Sequence, residues 1–405
     1  MTTAAPPRSI FAVIRDRNFG PFFVGNLTSN IGTWFQQVTS AIVIYDLTGS
    51  TFMVGMVGVS QFLPSLLLAP FTGAAADRFD RRKLLMTAQS TAAVAAATLA
   101  VVTLTIGLER FPRGWPVLAA VFVIGLAHAT ATPAQQALVP ALVPPADLDQ
   151  AVALTSVTFN LARAIGPALG AAALVAWGPG WAFAIDASSY LPLIFGLTLV
   201  RPRPVSRAPR ASIWVGFRHL RTDPTLALLL VGVMALGFGA DPVLTLSPSI
   251  ADALVDQSSM GREGLVGAMI SSFGAGAMVA AFLVGRVRAR LGHTRLAVTG
   301  LLLLGTGMVG FGASPTPWFA LASLVLGGIG FLFGVTSLTS AMHVRIPEEL
   351  RGRIMALWGI AFLGSRPIAA FVDGTIADLA SPRAAAWTAA AIVTLCALVV
   401  RWRVR

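Results

Sequence analysis

The sequence is poor in the residues that build disulfide frameworks, metal sites and soluble domains. It contains one cysteine, Cys396, so no disulfide can form within the chain and no cysteine cluster can bind a metal. Only 11% of its residues are charged, whereas 56% are hydrophobic. An average soluble domain carries about 25% charged residues. These shortages exclude an ordinary soluble domain and indicate a chain whose main solvent is lipid.

Several functional signals are also missing. The sequence contains neither a Gly-x4-Gly-Lys-(Ser/Thr) loop for ATP phosphates nor a His-Glu-x-x-His metal motif. The N-terminal region has no apolar core followed by a small-residue cleavage site, so we expect no removable signal peptide. No nucleophile and base cluster near a predicted membrane interface. We therefore expect no cofactor, no bound metal and no enzymatic activity.

Apolar segments long enough to cross a bilayer recur along the whole chain. A spanning helix needs about 20 mostly apolar residues, and twelve segments meet that requirement. The sequence thus predicts an all-α membrane protein. The predicted spans are 22–45, 52–76, 84–107, 115–143, 151–177, 181–200, 224–250, 264–285, 296–313, 318–343, 354–377 and 386–402.

Cations are concentrated in alternate loops. The formal net charge is +12, and 23 of the 29 cations lie in the termini and the loops after spans 2, 6, 8 and 10. The opposite loops hold only four. Because cytoplasmic loops carry the excess of Lys and Arg, both termini are predicted to be cytoplasmic. Nucleic acid is not expected as a partner, since these cations fall in short loops between apolar spans.

The chain divides into two related halves. Residues 1–200 hold six spans, 224–405 hold the other six, and an Arg-rich linker at 201–223 joins them. Spans 5 and 11 each follow a Pro-x-x-Leu start, and each carries one arginine near mid-membrane, Arg163 or Arg366. This repetition indicates a duplicated six-span unit.

The loop between spans 2 and 3 combines a glycine, an aspartate and several cations. Its key residues are Gly73, Asp77, Arg78, Arg81, Arg82 and Lys83. The spacing resembles the Gly-x-x-x-Asp-Arg-x-Gly-Arg-(Arg/Lys) motif of the major facilitator superfamily, except that Asp80 stands where the family usually has glycine. The resemblance implies two pseudo-symmetric six-helix halves with a substrate site between them. It also implies that Gly73, Asp77, Arg78, Arg81 and Arg82 act as a conformational latch at the cytoplasmic ends of the halves.

A second motif lies in span 5. Gly166, Pro167 and Gly170 resemble the Gly-Pro motif of antiporter branches, with Ala171 in place of its last glycine. Together with 45–50 and 77–83, the motif resembles the multidrug and siderophore efflux branch typified by enterobactin exporters. Close helix packing alone favours the same residues, so the motif supports either a rocking element or a packing element.

Ionisable residues inside the spans are the strongest functional candidates. A charge at the bilayer centre costs about 2.5–3.5 kcal/mol or more, so Arg163 and Arg366 need a partner or water. Each is either functional or a structural clamp. Asp241, followed by Pro242 in span 7, is the best carboxylate for a proton relay. Since helix 7 neighbours helix 11 in the superfamily, we expect Asp241 to pair with Arg366, either as a coupling element or as a permanent salt bridge.

Three further aspartates lie near the outer part of the membrane. Asp186 in span 6 and Asp373 in span 11 are proton-coupling candidates, although structural roles are favoured for both. Asp46, at the outer end of span 1, is expected to be a solvated helix end.

Span 1 carries an unusual polar stripe. Asn26, Asn30, Thr33 and Gln37 follow helical spacing, and His128 in span 4 can titrate near neutral pH. In the superfamily, helices 1, 4, 7 and 10 line the cavity, so these residues are predicted to line a substrate cavity. The alternatives are polar contacts between helices for the stripe and a neutral, hydrogen-bonded histidine.

These features predict a secondary transporter of the inner or plasma membrane. We expect proton-coupled efflux of an amphipathic small molecule by alternating access, by a monomer embedded in the lipid bilayer. The partners are the small-molecule substrate and protons. Proton-coupled uptake is the alternative direction, and a non-transporting receptor or scaffold is the alternative class.

Overall fold

The computed structural model describes residues 8–203, 213–347 and 350–403, and throughout these ranges the secondary structure is helical. Twelve helical segments cross the molecule from side to side. Because twelve crossings return the chain to its starting side, we call that side the terminal side. The spanning helices are α1 (Phe19–Thr48), α2 (Thr51–Arg78), α3 (Arg81–Thr105), α4 (Trp115–Leu142), α5 (148–177), α6 (179–199), α7 (224–254), α8 (261–291), α9 (293–312), α10 (Pro317–Arg345), α11 (Arg351–Leu379) and α12 (Pro382–Arg403).

Length and hydropathy support these twelve crossings. In the described part of the chain, nine helices are long and apolar enough to cross a membrane. Two of the nine, of 55 and 52 residues, are each long enough to cross twice. The remaining crossing is α1, whose polar stripe lowers its hydropathy. The twelve predicted spans are therefore confirmed, including the short 296–313 and the charged 354–377.

Glycines with positive φ separate two pairs of spans. Gly178 (φ 77°) divides α5 from α6, and Gly292 (φ 74°) divides α8 from α9. Such φ values favour glycine because it has no Cβ. The loop expected at 286–295 was wrong: the segment is helical on both sides of Gly292, so the turn is a single residue.

The backbone hydrogen bonding of helix α7 is interrupted near its middle, although the backbone keeps a helical course. Its first part ends at Ala240, Asp241 caps that end, and a short turn Pro242–Thr245 precedes Ser247–Leu254. Pro242 has no N–H to continue the helical hydrogen bonds. The break thus puts an ionisable side chain where backbone groups are freed from the helix.

Two helix pairs join the N-terminal half (α1–α6) to the C-terminal half (α7–α12). Helix α2 packs on α11, and α5 packs on α8. Glycines allow the close approach, because a side chain at either contact would clash with the facing helix. A Cβ at Gly55 of α2 would overlap the backbone of Ala370, and a Cβ at Gly274 of α8 would lie 2.6 Å from the Arg163 carbonyl oxygen. The halves therefore meet along surfaces where the backbones nearly touch.

Ile213–Thr222, in the described part of the linker, forms a helix that packs near α11. Residues 204–212 of the predicted linker, with Arg207 and Arg210, lie outside the described residues.

Candidate functional site

A cavity of about 750 Å³ lies between the two halves. Helices α1, α4 and α5 form one wall, and α7, α10 and α11 form the other. Its polar lining residues are Asn30, Thr132, Gln135, Gln136, Thr155, Ser156, Asn160, Arg163 and Arg366. Its volume is within the range of about 300–1,000 Å³ that is typical of small-molecule sites.

The cavity extends from the middle of the membrane toward the terminal side. Its deepest residues, Arg163 and Arg366, lie midway along α5 and α11, whereas Pro140 and Val152 lie near the terminal-side ends of α4 and α5. No described residue from the opposite ends of the helices lines it. This conformation is therefore open toward the terminal side.

Aromatic rings enclose the guanidinium group of Arg163. Its Cζ lies 4.4 Å from the ring centre of Phe331, 4.6 Å from that of Phe273 and 5.3 Å from that of Trp34. Phe273 and Phe331 belong to the C-terminal half, so the contacts cross the interface. Among the described residues Arg163 makes no hydrogen bond and no ion pair, and cation–π contacts with neutral rings take their place.

Arg366 has a similar environment in the other half. Its Cζ lies 4.2 Å from the ring centre of Phe62 in α2, again across the interface, and its buried Nε has no hydrogen-bond partner among the described residues. Arg163 and Arg366 lie within electrostatic range of each other. The two repeated arginines thus face one cavity from opposite halves.

The direct pair of Asp241 and Arg366 that the sequence predicts is not formed between these two described residues. Asp241 Oδ2 instead accepts a hydrogen bond of 2.8 Å from Thr245 Oγ1, one turn further along the broken helix. Asp241 Oδ1 is buried without a hydrogen-bond partner among the described residues. The two side chains lie only within electrostatic range, because the arginine stacks on Phe62.

Asp186 and Asp373 are also buried, and within the described ranges neither carboxyl has a hydrogen-bond or ion-pair partner. Asp373 lies within electrostatic range of Asp241, and Asp186 within that of Tyr190. Neither carboxyl lines the cavity or pairs with an arginine of the described chain. Their roles as proton-coupling groups therefore stay predictions.

The polar stripe of α1 is only partly directed into the cavity. Asn30 lines it, and Asn26 Oδ1 lies just behind, accepting a hydrogen bond of 2.8 Å from the lining residue Gln135. Thr33 lies 3.5 Å from His128 Nε2, and Gln61 Nε2 lies 2.9 Å from His128 Nδ1.

Three of the predicted cavity residues thus lie elsewhere. Thr33 and His128 form a polar cluster inside the N-terminal half, and Gln37 is buried away from the cavity. Thr33 is held by His128 of α4, and Gln37 lies one turn beyond the lining residue Trp34, away from the cavity mouth.

Sequence reasoning missed the aromatic walls of the cavity. Trp34 and Phe159 make an edge contact with ring centres 6.0 Å apart, and Trp358 stacks on Phe362 at 5.2 Å. Neighbouring glutamines in span 4, Gln135 and Gln136, were a usable signal because polar pairs are rare in apolar spans. The aromatic residues gave no such sequence signal, since Trp and Phe occur throughout membrane helices.

On the side opposite the termini, polar contacts join the two halves. Arg262 Nη2 lies 2.5 Å from Asp46 Oδ1. Asp378 accepts hydrogen bonds from Ser50 Oγ at 2.5 Å and from the Thr51 N–H at 2.8 Å. Asp46 is exposed in the last turn of α1, as expected of a solvated helix end, and the structure adds its ion pair with Arg262. These contacts close the side away from the cavity mouth.

The residues of the predicted latch lie at the terminal-side ends of α2 and α3. Arg81 Nη1 donates to the Ala137 carbonyl at 3.2 Å, and Arg82 Nη2 donates to the Thr198 carbonyl at 3.0 Å. Both bonds stay within the N-terminal half. Gly73 and Arg78 lie in the last turns of α2, and the side chain of Asp77 lies outside the described part of the structure. A latch between the halves stays a prediction.

The span-5 motif packs α5 tightly against α1. A Cβ at Gly166 would lie 2.9 Å from the Ile31 carbonyl oxygen, and one at Gly170 would lie 2.8 Å from that of Phe35. Beside Pro167, the N–H of Ala168 donates to Ser271 Oγ of α8 at 3.1 Å. The motif therefore serves close packing and also touches the other half.

Known proteins share both the sequence and the fold. Enterobactin exporter EntS of Shigella boydii serotype 18 is 28% identical over 387 residues, which cover 91% of this chain and 87% of that protein. The protein of the same name from Escherichia coli O81 matches to the same extent. Both relatives are named as exporters.

Solved structures agree on the fold. A mutant of the nucleoside transporter NupG superimposes with a TM-score of 0.77 at 12% identity, covering 94% of this chain and 98% of that one. A D-xylose-proton symporter gives 0.74 at 14% identity, covering 95% and 97%. The family model described as transmembrane secretion effector matches residues 8–405. The chain is a multi-pass secondary transporter of the major facilitator fold, and it belongs to the transmembrane secretion effector family.

Proposed function

We propose that the protein exports an amphipathic small molecule in exchange for protons, by alternating access across the cytoplasmic membrane. The observation that carries the proposal is the cavity between the halves, open toward the terminal side while cross-half contacts close the other side. The Arg-rich loops lie on the terminal side, which the positive-inside rule makes cytoplasmic. An exporter takes up its substrate in this conformation.

The direction of transport is supported by the relatives, which are named exporters. Uptake by symport uses the same cavity in the reverse order. Counterflow into vesicles under an imposed pH gradient distinguishes the two directions. Accumulation of substrate in the acidic compartment, which protons leave, indicates exchange, whereas accumulation in the alkaline compartment, which protons enter, indicates symport.

Asp241 is the proposed proton carrier. It is 1% exposed, one of its carboxylate oxygens has no partner among the described residues, and it lies beside the cavity residue Ala240. A carboxyl group moving between an apolar environment and the neighbourhood of Arg366 changes its proton affinity, because burial favours the neutral form and a nearby cation favours the ionised form. Rocking of the two halves would then couple protonation of Asp241 to the side of the membrane on which the cavity is open.

Replacing Asp241 tests this role. We expect Asp241→Asn to abolish proton-driven transport in proteoliposomes, while substrate binding measured by thermal shift is retained, because the amide keeps the shape but cannot ionise. The substrate is a compound selected by a thermal-shift screen of drugs, siderophores and sugars. The matched control is Asp256→Asn, an aspartate in the exposed α7–α8 connection. Unchanged proton-coupled flux in Asp241→Asn would refute the assignment.

We further propose that the monomer is the transporting unit and that both termini lie in the cytoplasm. The cavity is built from one chain only, so no second copy is needed to complete it. The bilayer is the expected environment of the twelve helices, with the four arginines of the opposite loops facing the outside.

A further inference from the structure

The cavity lining has one sign of charge. Arg163 and Arg366 are its ionisable residues, and no aspartate or glutamate of the described chain lines it. The nearest carboxyl, Asp241, lies behind the wall and is hydrogen-bonded to Thr245. In a cleft with low-dielectric walls such a charge distribution attracts anions and repels cations.

The arginines are held without counter-charges. Arg163 is 6% exposed, and three aromatic rings surround its guanidinium, with neither a hydrogen bond nor an ion pair to described residues. A buried arginine with a purely structural role is normally paired with a carboxylate or with backbone carbonyl groups. Arg163 instead keeps its donors for a group in the cavity, and the rings fix its orientation.

The remaining walls suit a flat apolar group. Aromatic clusters line both walls: Trp34 and Phe159 have ring centres 6.0 Å apart on one wall, and on the other Phe362 lies 6.1 Å from Phe331 and 5.2 Å from Trp358. Amide side chains of Asn30 and Gln136 offer neutral hydrogen bonds toward the mouth.

We infer that the cavity selects anionic compounds that carry an aromatic or similarly flat apolar part, and that Arg163 and Arg366 together hold the anionic group. This inference rests on the proposed function, in which the cavity is the substrate site. One arginine comes from each half, so an anion between them contacts both halves at once. Such a ligand is therefore positioned to influence the closure of the cavity as well as to bind in it.

The test uses three naphthalene compounds that differ in charge: 1-naphthoate, 1-naphthamide and 1-naphthylmethylammonium. Binding to the protein in nanodiscs is measured by titration calorimetry, with empty nanodiscs subtracted. Hydrogen bonds to charged groups contribute about 1.5–3 kcal/mol, so we expect naphthoate to bind about tenfold or more tightly than the amide, and the ammonium compound to bind most weakly. Equal affinities, or tighter binding of the cation, would overturn the inference.

Variants connect the selectivity to the two arginines. We expect Arg163→Gln and Arg366→Gln each to reduce the naphthoate-to-naphthamide ratio by about tenfold, which is the loss of one charged partner. Arg110→Gln, at an exposed arginine of the α3–α4 loop, is the matched control and should leave the ratio unchanged. An unchanged ratio in both cavity variants contradicts the assignment.

A charge reversal covers the case in which an arginine variant fails to fold. Gln136 is exposed to the cavity and makes no hydrogen bond to the described residues, so Gln136→Glu adds a negative charge with little change in shape. It should weaken naphthoate binding and strengthen ammonium binding, and no change in either would count against the inference. Because these measurements need no proton gradient, absence of proton-coupled export would refute the proposed function without changing them.

Discussion

Several ionisable residues in the described part of the chain are buried without a full set of partners. Asp241, Asp186 and Asp373 are buried with oxygens that lack partners among the described residues, and Arg163 contacts rings instead of anions. Sequence alone identifies such residues, because an ion within an apolar span is conspicuous. It does not identify the rings around them, since these come from helices distant in sequence.

Outside the membrane, fully paired groups serve stability. Asp147, in the loop between α4 and α5, accepts hydrogen bonds from the Arg8 N–H at 2.9 Å and from its guanidinium Nε at 2.6 Å. The backbone hydrogen bond from Arg8, followed by the guanidinium contact, lowers the pKa of the Asp147 carboxyl below its ordinary value. The N-terminal segment is thereby tied to the start of α5.

This pairing predicts a pH-dependent stability. Since the folded-state pKa of Asp147 is lowered, its contribution is present above the unfolded-state pKa of about 3.9 and is lost as the pH falls through the folded value. We expect Asp147→Asn to lower the thermal unfolding midpoint at pH 7 and to weaken its decline in acid. Asp149→Asn, at an exposed neighbour, serves as the control. Identical acid profiles for Asp147→Asn and the unmodified protein would contradict this role.

At the scale of helices, sequence patterns predicted which segments span the membrane, but they did not predict how neighbouring spans are joined. All twelve spans follow from apolar length, which depends only on local composition. The one-residue turn at Gly292 replaced a predicted loop of about ten residues, because basic residues with long aliphatic stems continue a helix at the membrane surface. The break of α7 at Pro242 was predictable, since proline cannot donate a backbone hydrogen bond.

The departure from the superfamily motif at Asp80 has a helix-level explanation. Asp80 is the N-cap of α3, where its Oδ1 accepts hydrogen bonds from the N–H groups of Arg82 at 2.9 Å and Lys83 at 3.2 Å. Glycine is also tolerated at an N-cap, whereas alanine is poor there. Asp80 therefore gives α3 an N-cap side chain that accepts hydrogen bonds, which a glycine at this position cannot do.

Substitutions at Asp80 should reduce stability in the order that N-cap preferences predict. We expect Asp80→Ala to reduce the free energy of unfolding by about 1 kcal/mol, and Asp80→Gly by only a few tenths of a kcal/mol. Equilibrium unfolding in mixed detergent micelles measures both, with Asp80→Asn, which keeps an accepting oxygen, as the control. Equal losses for alanine and glycine would show that the carboxylate acts in another way.

For the whole molecule, the contacts between halves differ on the two sides. The terminal side holds the cavity, and the opposite side holds the Asp46–Arg262 pair and the bonds of Asp378 to Ser50 and Thr51. The resemblance of the repeats predicted a site between the halves. The sequence could not predict which side is closed, because the same residues are present in both conformations.

Weakening the closed side should shift the conformational equilibrium. A partly exposed ion pair contributes about 0.2–1 kcal/mol, so we expect Arg262→Gln to raise the population open on that side by a few-fold at most. Spin labels at Glu109 and Ala380, in a Cys396→Ser background, report the separation by pulsed electron resonance.

The matched control for this measurement is Glu263→Gln. Glu263 bonds to Arg262 at 3.1 Å within the same half, so its replacement leaves the Asp46 pair in place. The distance distribution of Glu263→Gln should match that of the unmodified protein. A shift in this variant as large as that of Arg262→Gln would mean that the cross-half pair is not what holds this side closed.

The polarity of α1 has a consequence for how the protein is made. A helix with this many amides and hydroxyls gains little by entering lipid alone, because each such group lowers the driving force for insertion. Some of these groups find partners in other helices of the N-terminal half, as the Asn26–Gln135 bond to α4 and the Ser29–Gln89 bond to α3 illustrate. We therefore expect α1 to enter the bilayer less readily by itself than together with α3 and α4, which supply these partners.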